Sequence, residues 1–418
     1  MKKKKDKGKK NASVMRRYEY RIYPLPSQVG LFVRTFGCVR FVYNKLLRER
    51  IDFYEQTGKS AIGTPAHLKS EFPWLAEVDS LALCNAQIAL QSAFSNFFED
   101  ESAGFPRFKS KKNPVKTYTT NCVNNNIEIV RCADAPTRKQ WKLKLPKVGL
   151  VNIVYHRHIP KHWSIKAVTI KMSPSGQFYA SVLCDTKEAT PPLKHVEEIS
   201  DERIVGLDYS MPELYVSSDG ETPGNRRFFR TDEKKIAREK RKASKCKKGS
   251  NNRKKIQRRV ARMEQRVADR RKNFIHQESR RIANSFDIVC VEDIDMKNMS
   301  KALNFGKSVC DNGWGMFRNV LAYKLAEKGG RLVKVDRYYP SSKLCSVCGH
   351  KKDSLELSER IFVCKHCDAE MDRDVNAAIN IRQEGVRIAL LYPDGMPEKK
   401  KRTKKISENK PENKETAA

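Results

Sequence analysis

Nowhere in the 418 residues does an apolar run approach the ~18 consecutive residues that a membrane helix needs. The chain starts Met1-Lys2-Lys3-Lys4-Lys5 and continues polar, without the apolar core of a secretion signal, so the expectation is a cytoplasmic chain with no membrane partner. Acids are scarce: 49 Asp plus Glu face 84 Lys plus Arg, a formal net charge of +35. That imbalance excludes an electrically indifferent solute and asks for a polyanion. Cysteine is sparse as well, 12 in all with only four at close regular spacing, which excludes a disulfide scaffold. Core material is not scarce. Hydrophobic residues make up 39% of the chain, with 18 Phe, 14 Tyr and 4 Trp, which excludes wholesale disorder. At roughly 100–200 residues per domain the length implies two to four units.

The ends read as basic, mobile segments, residues 1–15 and 387–418. Between them, Arg17 to Tyr23 alternates as a half-buried strand ended by Pro24. A helix follows, with Ser27 as cap and Leu31, Val39, Val42, Leu46 and Tyr54 along one face up to a stop at Gly58. A second helix is predicted from Ser80 to Phe98. The stretch Gly104-Phe-Pro-Arg-Phe-Lys interleaves rings with charge, so that Phe105 and Phe108 either stack on bases or anchor a local core. Short strands with turn signals run from Asn126 to about Asp185, and Thr190-Pro191-Pro192 marks a linker.

The second half reads as strand (Ile204 to Asp208), hairpin return (Glu213 to Ser217), long helix (Asp232 to Phe286, broken at Gly249-Ser250-Asn251), strand (Asp287 to Val291), helix (Trp314 to Lys328) and strand (Arg331 to Val335), an α/β pattern. The long helix carries an apolar stripe of Ile256, Val260, Met263 and Val267. Between Lys234 and Lys272 it carries 19 Lys or Arg and three acids, an asymmetry that favours phosphate over mere solubility.

Two motifs carry chemistry. Cys345-Ser-Val-Cys348 and Cys364-Lys-His-Cys367 supply four thiolates at the spacing of a tetrahedral zinc ribbon; a closed four-Cys shell leaves no open position for catalysis, so Zn²⁺ is structural here. Asp208 ends Ile-Val-Gly-Leu-Asp, Glu292 ends Ile-Val-Cys-Val-Glu, and Asp374 lies in Asp372-Arg-Asp-Val-Asn-Ala-Ala-Ile-Asn380. Converging carboxylates repel unless a cation lies between them, and two Mg²⁺ or Mn²⁺ ions about 4 Å apart would serve phosphodiester hydrolysis. The neighbours Asp293 and Asp372 stay open as alternatives. Acids at strand ends are also common as caps and turn residues.

Gly206-Leu-Asp-Tyr-Ser210, Val291-Glu-Asp293, Tyr339-Pro-Ser-Ser-Lys-Leu-Cys345 with its ribbon, and the Asp372–Asn380 segment together resemble the TnpB family, the transposon-encoded relatives of type V CRISPR effectors. Arg21-Ile-Tyr-Pro24, Val39-Arg-Phe-Val-Tyr-Asn44 and Gly104-Phe-Pro-Arg-Phe-Lys109 extend the resemblance over residues 16 to 384. Ser210 stands where the family often has Gly. The resemblance implies a multidomain α+β chain: a helical recognition unit (27–118), a small β-barrel-like wedge unit (16–26 and 119–195), and an RNase H-like (RuvC) α/β nuclease core (204–339 and 372–386) with an inserted zinc ribbon (340–371). It implies Asp208, Glu292 and Asp374 as the catalytic, Mg²⁺-holding acids. Its partners would be a noncoding guide RNA from the transposon end and target double-stranded DNA beside a short motif, with the protein a monomer on its RNA near the nucleoid and a separate single-strand transposase as genetic companion. Nucleic-acid contacts are expected at Arg40, Asn44, Asn85, Arg107, Lys109, Asn124, Lys254, Arg258, Arg262, Ser341 and Ser342. A miniature CRISPR effector and a non-cutting, guide-directed regulator are the alternatives. The His156-Arg-His158 pair does not make the site of a single-strand transposase, because a charged residue separates its histidines.

Overall fold

The computed structural model describes residues 13–395 apart from 61–62, 101, 133–139, 225–226, 302–305, 307–310 and 357. The basic leader up to residue 12 and the tail beyond 395 lie outside the described residues. Among the described residues the chain divides into two units, Ser13–Glu188 and 189–395.

In the first unit, strand β1 (Ser13–Tyr23) alternates and buries Tyr20 and Ile22. Helix α1 (Pro26–Thr57) starts with Pro at its first position, where the missing N–H costs nothing. The cap is Leu25 and not Ser27: the Leu25 N–H donates to Gln28 Oε1 at 2.9 Å. Gly58 ends the helix at φ +66°, its N–H returning to Tyr54 O at 2.8 Å. Helix α2 (Pro65–Glu71) is short, and α3 (Ser80–Glu99) is capped by Asp79, which accepts from Leu81 N at 3.0 Å. The strands β2 (Lys116–Asn121), β3 (Glu128–Arg131), β4 (Trp141–Leu145), β5 (Gly149–Ile153), β6 (Ser164–Met172) and β7 (Phe178–Ala189) join β1 in one seven-stranded sheet of order β2-β6-β7-β1-β5-β4-β3. Among the described residues β2 and β3 do not pair, so the sheet is open where a barrel-like unit was expected. Helices and strands share a single core, in which Phe32 meets Phe178 and Phe36 meets Tyr118, both with ring centroids 5.6 Å apart.

The second unit is built on β8 (Ile204–Ser210), β9 (Leu214–Ser217), β10 (Ile288–Glu292) and β11 (Arg331–Val335), ordered β11-β10-β8-β9. Strand β10 runs parallel to both neighbours and β9 antiparallel to β8. Central parallel strands are covered on both faces, which is why Ile204–Leu207 and Ile288–Val291 are unbroken apolar runs. Helices α4 (Phe228–Lys245) and α5 (Asn251–Ser285) form a hairpin that turns where the sequence predicted a break. Ile236, Val260 and Val267 are buried in it, and the ion pairs Lys240–Glu264 (2.7 Å), Arg259–Glu239 (3.4 Å) and Arg270–Asp232 bind its arms. The short α6 (Met296–Lys301) and then α7 (Trp314–Ala326) follow β10. After β11 come the ribbon strands β12 (Ile361–Val363) and β13 (Glu370–Asp372) and the last helix, α8 (Arg373–Leu391). Among the described residues no helix is long and apolar enough to cross a membrane.

Helix α8 crosses β8 so closely that a Cβ on Gly206 would lie 2.0 Å from Ala378 O and 2.8 Å from Arg382 N. Both are backbone atoms, so no side chain can swing aside. Gly206→Ala is therefore expected to destabilise this unit by roughly 3 kcal/mol or more, read as a shifted denaturant midpoint. An unchanged midpoint would mean that helix and strand are not in contact.

Candidate active site

Gly206 lies two residues before Asp208 on the same strand face, and Ala378 one helical turn after Asp374. The close approach at Gly206 thus brings the first turn of α8 beside the end of β8. Strand β10 delivers Glu292 to the same end of the sheet, since Leu207 pairs with Val291 in parallel register. Asp208 is half-buried, and its carboxyl is pushed up to about 8, first by burial and then by repulsion from Glu292 and Asp374. Glu292 is pushed up to about 7 by burial, with Asp336, an acid the sequence reading passed over, adding repulsion. Carboxyls held so far above their usual range are destabilised as anions, which is the electrostatic setting for a divalent cation.

The neighbouring acids have other work. Asp372 is exposed and caps α8, accepting from Asp374 N at 2.8 Å and Val375 N at 3.0 Å. Asp293 faces Arg318 and Lys334, each at 3.3 Å. Asp374, half-buried, receives the Arg373 guanidinium at 3.2 Å.

The four cysteines fit zinc. All four sulfurs lie within 4.8 Å of one another, with Cys345 Sγ–Cys367 Sγ at 3.6 Å and Cys348 Sγ–Cys364 Sγ at 3.7 Å. Zn–S bonds of about 2.3 Å in a tetrahedron require S···S edges of about 3.8 Å. The His366 backbone N–H, bonded to the Cys364 sulfur, heads the causes that pull that thiol down to about 6, towards the thiolate a metal needs. His350 and His366 stack on each other, ring centroids 5.4 Å apart and 9° from parallel, next to the knuckles. Among the described residues this is the one group of three or more His, Cys, Asp or Glu gathered closely enough to hold an ion.

The expected nucleic-acid contacts divide. Lys254, Arg258 and Arg262 are exposed on α5 at i, i+4 and i+8, on the side away from Val260 and Val267. Arg107 is exposed in its loop, and Arg40 is half-buried on α1. Asn44 is a clamp: its amide donates to Lys109 O at 3.0 Å and accepts from Lys109 N at 2.8 Å, while Lys109 Nζ sits 3.8 Å over the Tyr43 ring. Phe105 packs against Phe94 and Phe97, and Phe108 lies under Arg48, which favours the local anchor over base stacking. Asn85 donates back to Leu81 O at 2.8 Å, and Asn124 takes a left-handed turn conformation at φ +49°. Ser341 is buried, its carbonyl accepting from Asn380 at 2.8 Å, and Ser342 is half-buried beside it.

The sequence reading missed the residues that fasten the ribbon. Asn376 and Asn380, one turn apart on α8 and both buried, donate to Leu344 O at 2.7 and 2.8 Å, and Asn376 Oδ1 accepts from Ser346 N at 2.9 Å. Two asparagines at i, i+4 flanking Ala-Ala-Ile on a buried face were the available signal.

Comparison with known proteins places this arrangement. Three family models match: "Helix-turn-helix domain" over residues 14–59, "Probable transposase" over 187–303 and "Cas12f1-like, TNB domain" over 314–381. The first of these covers a strand and one long helix here. A solved Cas12f1–sgRNA–target DNA complex shares the fold, with TM-score 0.56 and 14% identity over 88% of this chain and 99% of that one. The class is thus a chain that carries insertion-sequence domains and a Cas12f1-like TNB domain. A "Putative RNA-guided DNA endonuclease" of Streptomyces pristinaespiralis is 36% identical over 89% of this chain and 90% of its own length. The "Putative RNA-guided DNA endonuclease InsQ" of Escherichia coli K12 is 27% identical over 93% and 98%. The chain belongs to the TnpB family.

Proposed function

We propose that this protein is the RNA-guided DNA endonuclease of an insertion sequence, cutting double-stranded DNA next to a short motif with Asp208, Glu292 and Asp374 as the acids of its hydrolytic site. The observation that carries the chemistry is the adjacent pair Asp208 and Glu292, both held far above the ordinary carboxylate range at the ends of neighbouring parallel strands. The relatives' names supply the guide and the target. Residues 204–339 and 372–386 would form the nuclease core, 340–371 the zinc ribbon, 27–118 the recognition part, and 16–26 with 119–195 the wedge. A noncoding RNA from the transposon end would be the guide, in a cell that also encodes a single-strand transposase.

Asp208 and Glu292 would hold Mg²⁺ or Mn²⁺, with Asp374 at the helix start completing the set. When bound, such an ion lowers the pKa of water and neutralises charge on the departing oxygen. Arg373 keeps Asp374 in place, and Asp372 fixes the first turn that carries it. The basic face of α5 follows phosphate without reading sequence, which leaves target choice to base pairing.

The test is a plasmid library carrying the guide-matched target beside randomised flanks, incubated with protein, its locus-encoded RNA and Mg²⁺. Flank-dependent double-strand cuts are expected. Bound RNA without cuts would replace the nuclease by a binding-only regulator. Guide-RNA affinity should also fall by on the order of 10²-fold or more between 50 and 200 mM salt, and replacing Lys254, Arg258 and Arg262 together by Ala should reduce the slope by about two to three. A flat salt response would reject the phosphate-following face.

A further inference from the structure

We infer that helix α7 sets the distance between the two strand-borne carboxylates, with Arg318 and Asn312 as its positioning residues; this rests on the reading of Asp208 and Glu292 as the metal-holding pair. The parallel register of β8 and β10 runs to Leu207↔Val291, and Asp208 and Glu292 are the next residue on each strand, paired on their outer sides with Val216 of β9 and Val335 of β11. Two side chains, one just ahead of α7 and one on it, reach the backbone beside these two residues. Asn312, just ahead of α7 and 3% exposed, donates through Nδ2 to Ser210 O at 2.9 Å and Met211 O at 3.2 Å, in the turn that follows Asp208. Arg318, in the second turn of α7, donates to Glu292 O at 3.2 Å, to Ile294 O at 3.2 Å and to Asp293 Oδ1 at 3.3 Å.

Between these anchors the helix packs on β8 and β9. Trp314 and Phe317 are fully buried and stacked at 5.5 Å, with Trp314 5.7 Å from Tyr209 and Phe317 5.5 Å from Tyr215. The guanidinium of Arg318 does not neutralise Glu292. Its bonds go to two backbone carbonyls and to Asp293, so its effect on Glu292 is geometric. A planar fork reaches both carbonyls at once, which a lysine ammonium cannot copy. Partners that orient metal-holding groups typically cost 10–100-fold in metal affinity when removed.

The experiment is a Mn²⁺ titration of the full-length chain by electron paramagnetic resonance, alongside melting temperature, zinc content, guide-RNA affinity and Mg²⁺-dependent cutting. Asp208→Asn should abolish one class of bound Mn²⁺. Arg318→Met, Arg318→Lys and Asn312→Ala should weaken that same class by roughly tenfold or more, leaving zinc content and RNA affinity unchanged, with Arg318→Lys no better than partial rescue. If Arg318→Met melts too low to assay, Arg318→Lys and Asn312→Ala decide. Loss of the Mn²⁺ class in Asp208→Asn with near-normal binding in all assayable α7 variants would overturn the positioning role alone. Retention of that class in Asp208→Asn would overturn the reading of the carboxylates, and the positioning role with it.

Discussion

Asp208→Asn is expected to remove DNA cutting by well over 100-fold, to leave guide-RNA affinity unchanged, and to raise the melting temperature of the chain in the absence of added Mg²⁺. The catalytic loss follows from rank: groups that merely orient a metal's partners already cost 10–100-fold, and a direct ligand costs more. The gain in stability follows from linkage. Asp208 and Glu292 sit at about 8 and about 7 in the fold, against values near 4 in an unfolded chain. Across the window from pH 4 to 8 the folded chain therefore binds protons more tightly, and the stability this supplies is full at low pH and lost as pH rises through 7 and 8. Asn cannot ionise and relieves both the burial of charge and the repulsion of Glu292. The gain at pH 8 should be on the order of 1–2 kcal/mol, or about 2–8 °C, and should vanish at pH 4. Thermal melts at the two pH values check the sign. A variant that melts lower at pH 8, or that still cuts, removes Asp208 from the site.

Cys364→Ser should take bound zinc from one ion per chain to nearly none and cut the yield of folded protein, because a closed four-sulfur shell would hold the ribbon together. The ribbon's own core is small: it consists of Cys345, Phe362 and Cys364, and its strands β12 and β13 have three residues each. A structural zinc contributes about 10–16 kcal/mol of apparent binding energy, far more than such a core can. The damage should spread, because β13 ends at Asp372, the cap of the helix that carries Asp374. Cutting should therefore fall with zinc content and recover when zinc is returned to the stripped unmodified chain, but not to the variant. Elemental analysis with circular dichroism is the direct measurement, and normal folding and metal content in Cys364→Ser would reject the four-sulfur site.

What could be read from the sequence depended on how local the signal was. The strands carrying Asp208 and Glu292 were legible because buried parallel strands are unbroken apolar runs, and an acid closing such a run stands out, although β8 continues two residues further to Ser210. The ribbon was legible from spacing alone, and the turn between α4 and α5 from Gly249-Ser250-Asn251. Contacts whose partners are far apart in the chain left no mark. Asn44 binds the backbone of Lys109 across 65 residues, and Arg318 grips the carbonyl of Glu292 across 26. The amides of Asn44 and Asn85, expected on nucleic acid, are bonded to backbone carbonyls for the same reason: a backbone carbonyl and a base edge offer a side chain the same acceptor chemistry. The cap at Leu25 was hidden because its partner, Gln28, acts on the backbone N–H and not through a capping side chain at Ser27.

The two asparagines of α8 that hold Leu344, Ser341 and Ser346 also define a unit of exchange. Anyone swapping zinc ribbons between relatives, or tracing how such ribbons were traded in evolution, would be tempted to splice at residues 340 and 371, the bounds of the insert read from sequence. That graft would part the insert from its own docking face. The transplantable cassette runs from the end of β11 through Gln383, whose amide also binds Ser346 O at 3.1 Å, and it carries Asp374 with it. A graft cut at those bounds would move Asp374 together with the ribbon.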